Sequence, residues 1–334
     1  SAVRARQEAA KQRTGYYGPY AICRDLSPDE AMARMDEGQP YVVRLRSPGD
    51  ESRRIKFDDM IKGTIEMPEN EQDIVLLKTD GIPTYHFAHA VDDHLMRTTH
   101  VIRGDEWIAS VPIHLQLFRV LGFKPPKYVH VSPIMKEDGS GKRKLSKRKD
   151  PEAAVHYYAE QGYPADSVME YLLTIANSDF EEWRKRNQDA PRSAFPFNLK
   201  KMSASGALFD LNKLHDVSKN VIARMDADAV FARILAWAQE YAPDFYTRLD
   251  RDRAFARGIF AIDRGGNKPR KDLAKWSDAP EYAAYFFDET FVPSDELPET
   301  IAPADAAAVL TAYKAVYDPA QDKQAWFQTI KDLC

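Results

Sequence analysis

An α/β core, preceded by an α+β segment and followed by a mainly helical region, is predicted by three features of this 334-residue sequence. Residues 100–131 read as strand, helix, strand; residues 1–80 mix short β-branched runs with one capped helix; beyond residue 150 the apolar residues recur at helical spacing. At 44% hydrophobic and 29% charged residues the chain is too apolar to be disordered, and it is long enough for roughly two or three cores. A net charge of −4 means that any polyanion must be met by local basic patches. Cys23 and Cys334 lie far apart with no partner at metal-ligand spacing, so neither a disulfide framework nor a zinc site is expected, and a cytoplasmic location fits. No apolar run is long enough to cross a bilayer, and no membrane role is expected.

In order along the chain, Ser27 can cap a helix that Pro28 opens and Gly38 ends. "YVVRLRS" (41–47) reads as a strand, and "DIVLLKTDGIPTYHFAH" as two strand runs around an Asp80–Gly81 hairpin turn. "HVI" (100–102) and "YVHV" (128–131) flank a helix marked by Val111, Leu115 and Phe118 and ended by Gly122 and Pro125. Such βαβ units are right-handed with parallel strands, and ligands bind outside the carboxyl ends of those strands. "RGDEW" and "SPIMKEDGSGKRKLSKRKD" should therefore open onto one edge of the sheet. Later helices are marked by Val168, Tyr171, Leu172 and Ile175; by Val230, Ile234, Trp237 and Tyr241 after the cap Asp226; and by Val309, Tyr313 and Val316.

The stretch "GKRKLSKRKD" places six basic residues between Lys142 and Lys149. By charge alone it could be a solvated loop, a contact for a phosphate backbone, or a mobile loop that follows the charges of a nucleoside triphosphate. In "HAVDDH", His89, Asp92, Asp93 and His94 suggest a metal cluster or paired carboxylates. Adjacent residues point different ways, however, so no metal is expected there. "RGGNKPRKDLAKW" would suit contacts with a phosphate backbone or a plain solvated turn.

The order of these segments carries a resemblance. "KLSKR" resembles the second signature of class I aminoacyl-tRNA synthetases, in the form found in glutamyl-tRNA synthetases; "DGIPTYHFAHAVDDHLMRTTHVIRGDEW", "QGYPADSVMEYLLTIANS" and "FDLNKLHDVSK" are similar to that family's segments in the same order. The resemblance implies the second half of a Rossmann-type nucleotide-binding fold (85–150), preceded by part of an acceptor-binding insertion (1–84) and followed by a stem-contact region (151–215) and a helical anticodon-binding region (216–334). It implies ATP- and Mg²⁺-dependent activation of L-glutamate to glutamyl adenylate, and transfer to the terminal adenosine of tRNA(Glu), with tRNA(Gln) left open, by a monomer.

The resemblance implies, position by position, that Arg103, Tyr85 and His89 match the glutamate pocket, that Glu106, Trp107, Ile134 and Met135 match residues bordering ATP, and that Lys144 and Lys147 match the catalytic lysines of the signature loop. Arg103 resembles the family arginine that pairs with the side-chain carboxylate of glutamate, which neutral glutamine cannot match. The HIGH signature is not among these residues. The chain is thus expected to be an internal fragment, inactive alone, with a mobile KLSKR loop. A non-catalytic tRNA-binding module and glutamyl transfer to a modified tRNA base are the competing readings.

Overall fold

The structure, a computed structural model, describes residues 2–266, 268–292, 296–298 and 300–333. Cys334 and Asn267 of the Gly-rich turn lie outside them. After α1 (Ala2–Ala9), α2 (Pro28–Asp36) begins as expected: Ser27 caps it in a box closed by Glu30, and Gly38 leaves it with φ 76°. Within the 41–47 run Val43–Arg44 form β1, paired with β4 (Val75–Leu77), and Leu45 N donates to Ile74 O (2.9 Å). Between them β2 (Arg54–Asp59) and β3 (Gly63–Pro68) form an antiparallel hairpin.

The hairpin expected around Asp80 and Gly81 has its turn and first arm but no second strand. Gly81 N donates to Lys78 O (2.9 Å) and Lys78 N to Ile82 O (3.0 Å), after which the chain enters α3 (Tyr85–Leu95). Packing overrides the β propensity of Thr84, Tyr85 and Phe87: α3 lies against α4 (Val111–Val120), and Ala90 joins Leu117 and Phe118 in one buried cluster.

The predicted βαβ unit is present. β5 (His100–Gly104) and β6 (Lys127–Val131) run parallel, in register from His100↔Lys127 to Gly104↔Val131. They belong to a four-stranded sheet of order β3-β2-β6-β5, in which β2 lies parallel to β6 through Asp59↔Tyr128. Hydrogen bonding therefore crosses the expected limit at residue 84, and β6 is an inner strand with Tyr128, Val129 and His130 buried. β7 (Met135–Asp138) and β8 (Gly141–Lys144) form a separate antiparallel hairpin.

The remainder is helical: α5 (Val155–Gln161), α6 (Ala165–Ala176), α7 (Phe180–Arg186), α8 (Leu211–Ala223), α9 (Ala227–Tyr241), α10 (Pro243–Arg251), α11 (Arg253–Ala261), α12 (Ala279–Ala283), α13 (Pro303–Val316) and α14 (Lys323–Leu333). α8 runs through the expected limit at 215. Its Leu214 packs with Tyr163, Tyr171 and Phe209, while its Ile222 joins Val230, Ile234, Leu249 and Phe260 in a second core. Asp226 caps α9 by accepting from Ala229 N (2.7 Å). On α13, Val309 and Val316 form part of an exposed face. No helix among the described residues is long and apolar enough to cross a membrane.

Gly162 joins the two helical cores. It ends α5 at φ 79°, its carbonyl accepts from Trp276 N (2.8 Å), and a Cβ here would sit 2.8 Å from Trp276 Cβ. Gly162→Ala should cost about 2 kcal/mol or more, since left-handed strain and a clash against backbone add. A urea midpoint unchanged from the native chain would refute this.

Candidate active site

Because β5 and β6 are parallel and in register, Arg103 and His130 are paired neighbours at the carboxyl ends of their strands. α4 brings His114 to the same place, and α3 brings Tyr85, His86 and His89. The result is one connected polar cluster. Arg103 donates from Nε to His130 Nε2 (3.0 Å), from one terminal nitrogen to His114 Nδ1 (3.2 Å) and from the other to Tyr85 Oη (3.4 Å). His130 in turn faces Asp59 Oδ2 through Nδ1 (2.7 Å), and His114 faces His86 Nδ1 through Nε2 (2.9 Å). The guanidinium also lies 5.9 Å from the Trp107 ring and 5.1 Å from that of Tyr128, and Tyr85 packs on Trp107 at 4.3 Å between centroids.

Burial sets the protonation of this cluster. Desolvation first, then the charges of His89 and Arg103, press the His114 pKa down to about 2. Desolvation also lowers those of His86, His89 and His130, although Asp93 and Asp59 oppose the shift at His89 and His130. The cluster is therefore a cation among neutral imidazoles.

A stability prediction follows from the sign of these shifts. The unfolded chain takes up protons near the ordinary His value of 6.5 and the folded chain does not, so stability is complete above that value and falls as pH drops below it. For His114 alone the loss should be about 1.4 kcal/mol at one pH unit below 6.5, the figure for one unit of linkage. Urea midpoints that stay level between about pH 7.5 and 5.5 would contradict it.

Tyr85, Arg103 and Trp107 are brought together. His89 is buried beneath them, but both its ring nitrogens have protein partners, Asp93 Oδ2 at 2.6 Å and Tyr128 Oη at 3.1 Å, and its ring stacks on Tyr85. Of the remaining "HAVDDH" residues, His94 stacks on Phe123, and no group of three His, Cys, Asp or Glu among the described residues could hold a metal ion.

The basic segment follows β6. Residues 135–144 form the β7–β8 hairpin, and its Arg143 is used internally. The buried Asp150 carboxylate receives both Arg143 terminal nitrogens (2.6 and 2.7 Å) and Ser146 N (2.8 Å), and Arg143 holds its pKa well below the usual carboxylate range. Lys136 adds contacts to Asp150 (3.3 Å) and Glu152. Lys144 Nζ reaches Glu106 Oε1 at 3.5 Å, which brings together two predicted ATP-site residues from different loops. Lys142, Lys147, Arg148 and Lys149 remain exposed, with no ion pair among the described residues. Ile134 packs with Leu145 against the Tyr163–Tyr171 core, and Met135 bonds through its backbone to the strap 207–209 (Met135 N to Ala207 O 2.8 Å; Phe209 N to Met135 O 2.7 Å).

Sequence reasoning missed Asp59, Lys62, His86, His114, His130 and Asp150. Lys62 Nζ donates to Asp105 (3.1 Å), to Ser132 and to Ala204 O (2.5 Å), tying the β2–β3 turn to both loops of the sheet edge. One signal was available: a histidine inside the apolar strand run "YVHV" needs a buried partner. Its partner Asp59 lies 71 residues away, on a strand whose place beside β6 has no local signature.

Residues 2–216 match the family model described as tRNA synthetases class I (E and Q), catalytic domain. The chain is 53% identical to a glutamate–tRNA ligase of Clostridium perfringens, over 99% of this chain and 62% of that one. Ligases of the same name from Clostridium beijerinckii and Sorangium cellulosum are 50% and 46% identical, each over 99% of this chain and 61% of its own length. This chain thus spans about three-fifths of the length of these curated relatives. In fold it is similar to the crystal structure of a glutamate tRNA ligase from Elizabethkingia meningosepticum in complex with its amino acid (TM-score 0.71, 24% identity, 99% of this chain and 67% of that one). With a parallel sheet edge, a β7–β8 hairpin leading into KLSKR and a family model matched over residues 2–216, the chain belongs to the class I tRNA synthetases of the E and Q group.

Proposed function

We propose that the full-length chain carrying these residues is a glutamate–tRNA ligase. The observation that carries this reading is Arg103: its positive charge is held by neutral acceptors at the carboxyl ends of two parallel strands, and each terminal nitrogen keeps one N–H beyond those given to His114 and Tyr85. A carboxylate accepts such a pair of donors in parallel, whereas an amide supplies only one acceptor oxygen and no charge. Tyr85 and Trp107 would wall the same pocket, with His89 beneath them.

In the first step an oxygen of the glutamate α-carboxylate attacks the α-phosphorus of ATP, and pyrophosphate leaves. In the second, the 2′-hydroxyl of the terminal tRNA adenosine attacks the acyl carbon of the adenylate, and AMP leaves. Lys144 and Lys147 would stabilise the charge that develops on the phosphates, with Glu106 and Trp107 toward the ribose and Ile134 and Met135 toward the adenine. Magnesium would enter with the ATP phosphates. The names of the Clostridium and Sorangium relatives support glutamate as the amino acid and tRNA as the acceptor. ATP–pyrophosphate exchange by the full-length chain, with tRNA present, should require glutamate, and residues 1–334 alone should give none. Exchange driven equally by glutamine, or no exchange by the full-length chain, would overturn the assignment.

A further inference from the structure

We propose that Asp59 acting through His130, and His86 acting through His114, are positioning residues that set the orientation of the Arg103 guanidinium and so determine which of its edges meets the substrate carboxylate. The inference rests on the reading of Arg103 as the carboxylate-binding residue.

A guanidinium only donates, so each imidazole nitrogen facing Arg103 must be an unprotonated acceptor. That requirement assigns the tautomers. His130 accepts at Nε2 and carries its proton on Nδ1, where it donates to Asp59 Oδ2; His114 accepts at Nδ1 and carries its proton on Nε2, where it donates to His86 Nδ1. Asp59 is itself held in place. Its Oδ1 accepts from Ile61 N (3.0 Å) and Lys62 N (2.9 Å), and its Oδ2 also accepts from His130 N (3.0 Å), so the carboxylate cannot turn away.

The two imidazoles take the Nε–H and one N–H of the terminal nitrogen facing His114. The open donors are then on the two terminal nitrogens, on the side of Tyr85, which is half exposed. Using imidazoles in place of carboxylates as the direct partners has a further effect. The anions paired with the cluster's imidazoles, Asp59 and Asp93, stand one ring away from Arg103, beyond His130 and beside His89, so the cation is oriented without an ion pair of its own among the described residues. Substrate then supplies the anion.

The test compares variants of His130 in the full-length chain by glutamate-dependent pyrophosphate exchange. His130→Gln keeps an acceptor toward Arg103 and a donor toward Asp59. His130→Asn is polar but too short to reach both, and His130→Leu offers neither. The Asn and Leu variants should raise the glutamate KM about tenfold or more while leaving the ATP KM within about twofold, and the Gln variant should stay within about threefold of native on both. If the buried leucine prevents folding, the Asn and Gln pair alone decides the matter. Equal glutamate KM for Asn and Gln, or a fall in kcat with both KM values unmoved, would overturn the positioning role. Arg103→Ala serves as the control: if it leaves the glutamate KM unchanged, the carboxylate reading of Arg103 is what fails.

Discussion

Arg103→Ala should raise the glutamate KM about a hundredfold or more and leave the ATP KM within about twofold, since losing one partner of a desolvated, hydrogen-bonded charge pair costs about 2–5 kcal/mol. The asymmetry between substrates is the informative part. Arg103 lies at the sheet edge beside Tyr85 and Trp107, and the basic residues of β8 and the KLSKR segment follow another strand. Arg103→Lys should rescue little, because an ammonium cannot donate to two imidazoles in fixed directions and also offer parallel donors to a carboxylate. The same change carries a second signature. Arg103 is among the charges that depress the pKa of His86, His89, His114 and His130, so its removal should make the chain less sensitive to acid. Steady-state exchange kinetics and urea melts at two pH values check both. Equal loss of glutamate and ATP binding would count against the carboxylate role.

Asp150→Ala should do the reverse: lower the exchange kcat about a hundredfold with little change in glutamate KM, an effect of the size expected when catalytic groups are misplaced by about an ångström. Asp150 is buried at the base of the signature hairpin and gathers Arg143, Ser146 N and Lys136. Without it, Arg143 loses the fork that fastens β8, and Lys144 and Lys147 lose a fixed starting point. Asp150→Asn, which keeps one acceptor oxygen but no charge, should fall between native and alanine. A glutamate KM that moves while kcat holds would show that the hairpin is not what Asp150 supports.

The two expected results separate what could be read locally from what could not. The βαβ unit, the capped helix at Ser27, the α9 cap at Asp226 and the position of the basic run after β6 all depend on signals within a few residues: a cap, a helical period, a short β-branched run. The resemblance carried by ordered segments was equally legible, and it named Tyr85, Arg103, Trp107 and Lys144, whose side chains do lie against neighbours from that set. The run "TYHFAH" was misread because Thr, Tyr and Phe favour strands in isolation, while the helix they form is decided by packing on α4.

Chemistry at the site divides in the same way. An arginine ending one parallel strand and a lysine-rich segment following the next could both be read from the chain. Which atoms hold that arginine, and that Arg143 of the lysine-rich segment is engaged internally, depends on the folded arrangement. Asp59, His86, His114 and His130 come from β2, α3, α4 and β6, and Arg143 is fastened by the buried Asp150. The reason is physical: hydrogen bonds between distant segments depend on strand order and register, and neither strand order nor register is encoded in any short stretch of chain.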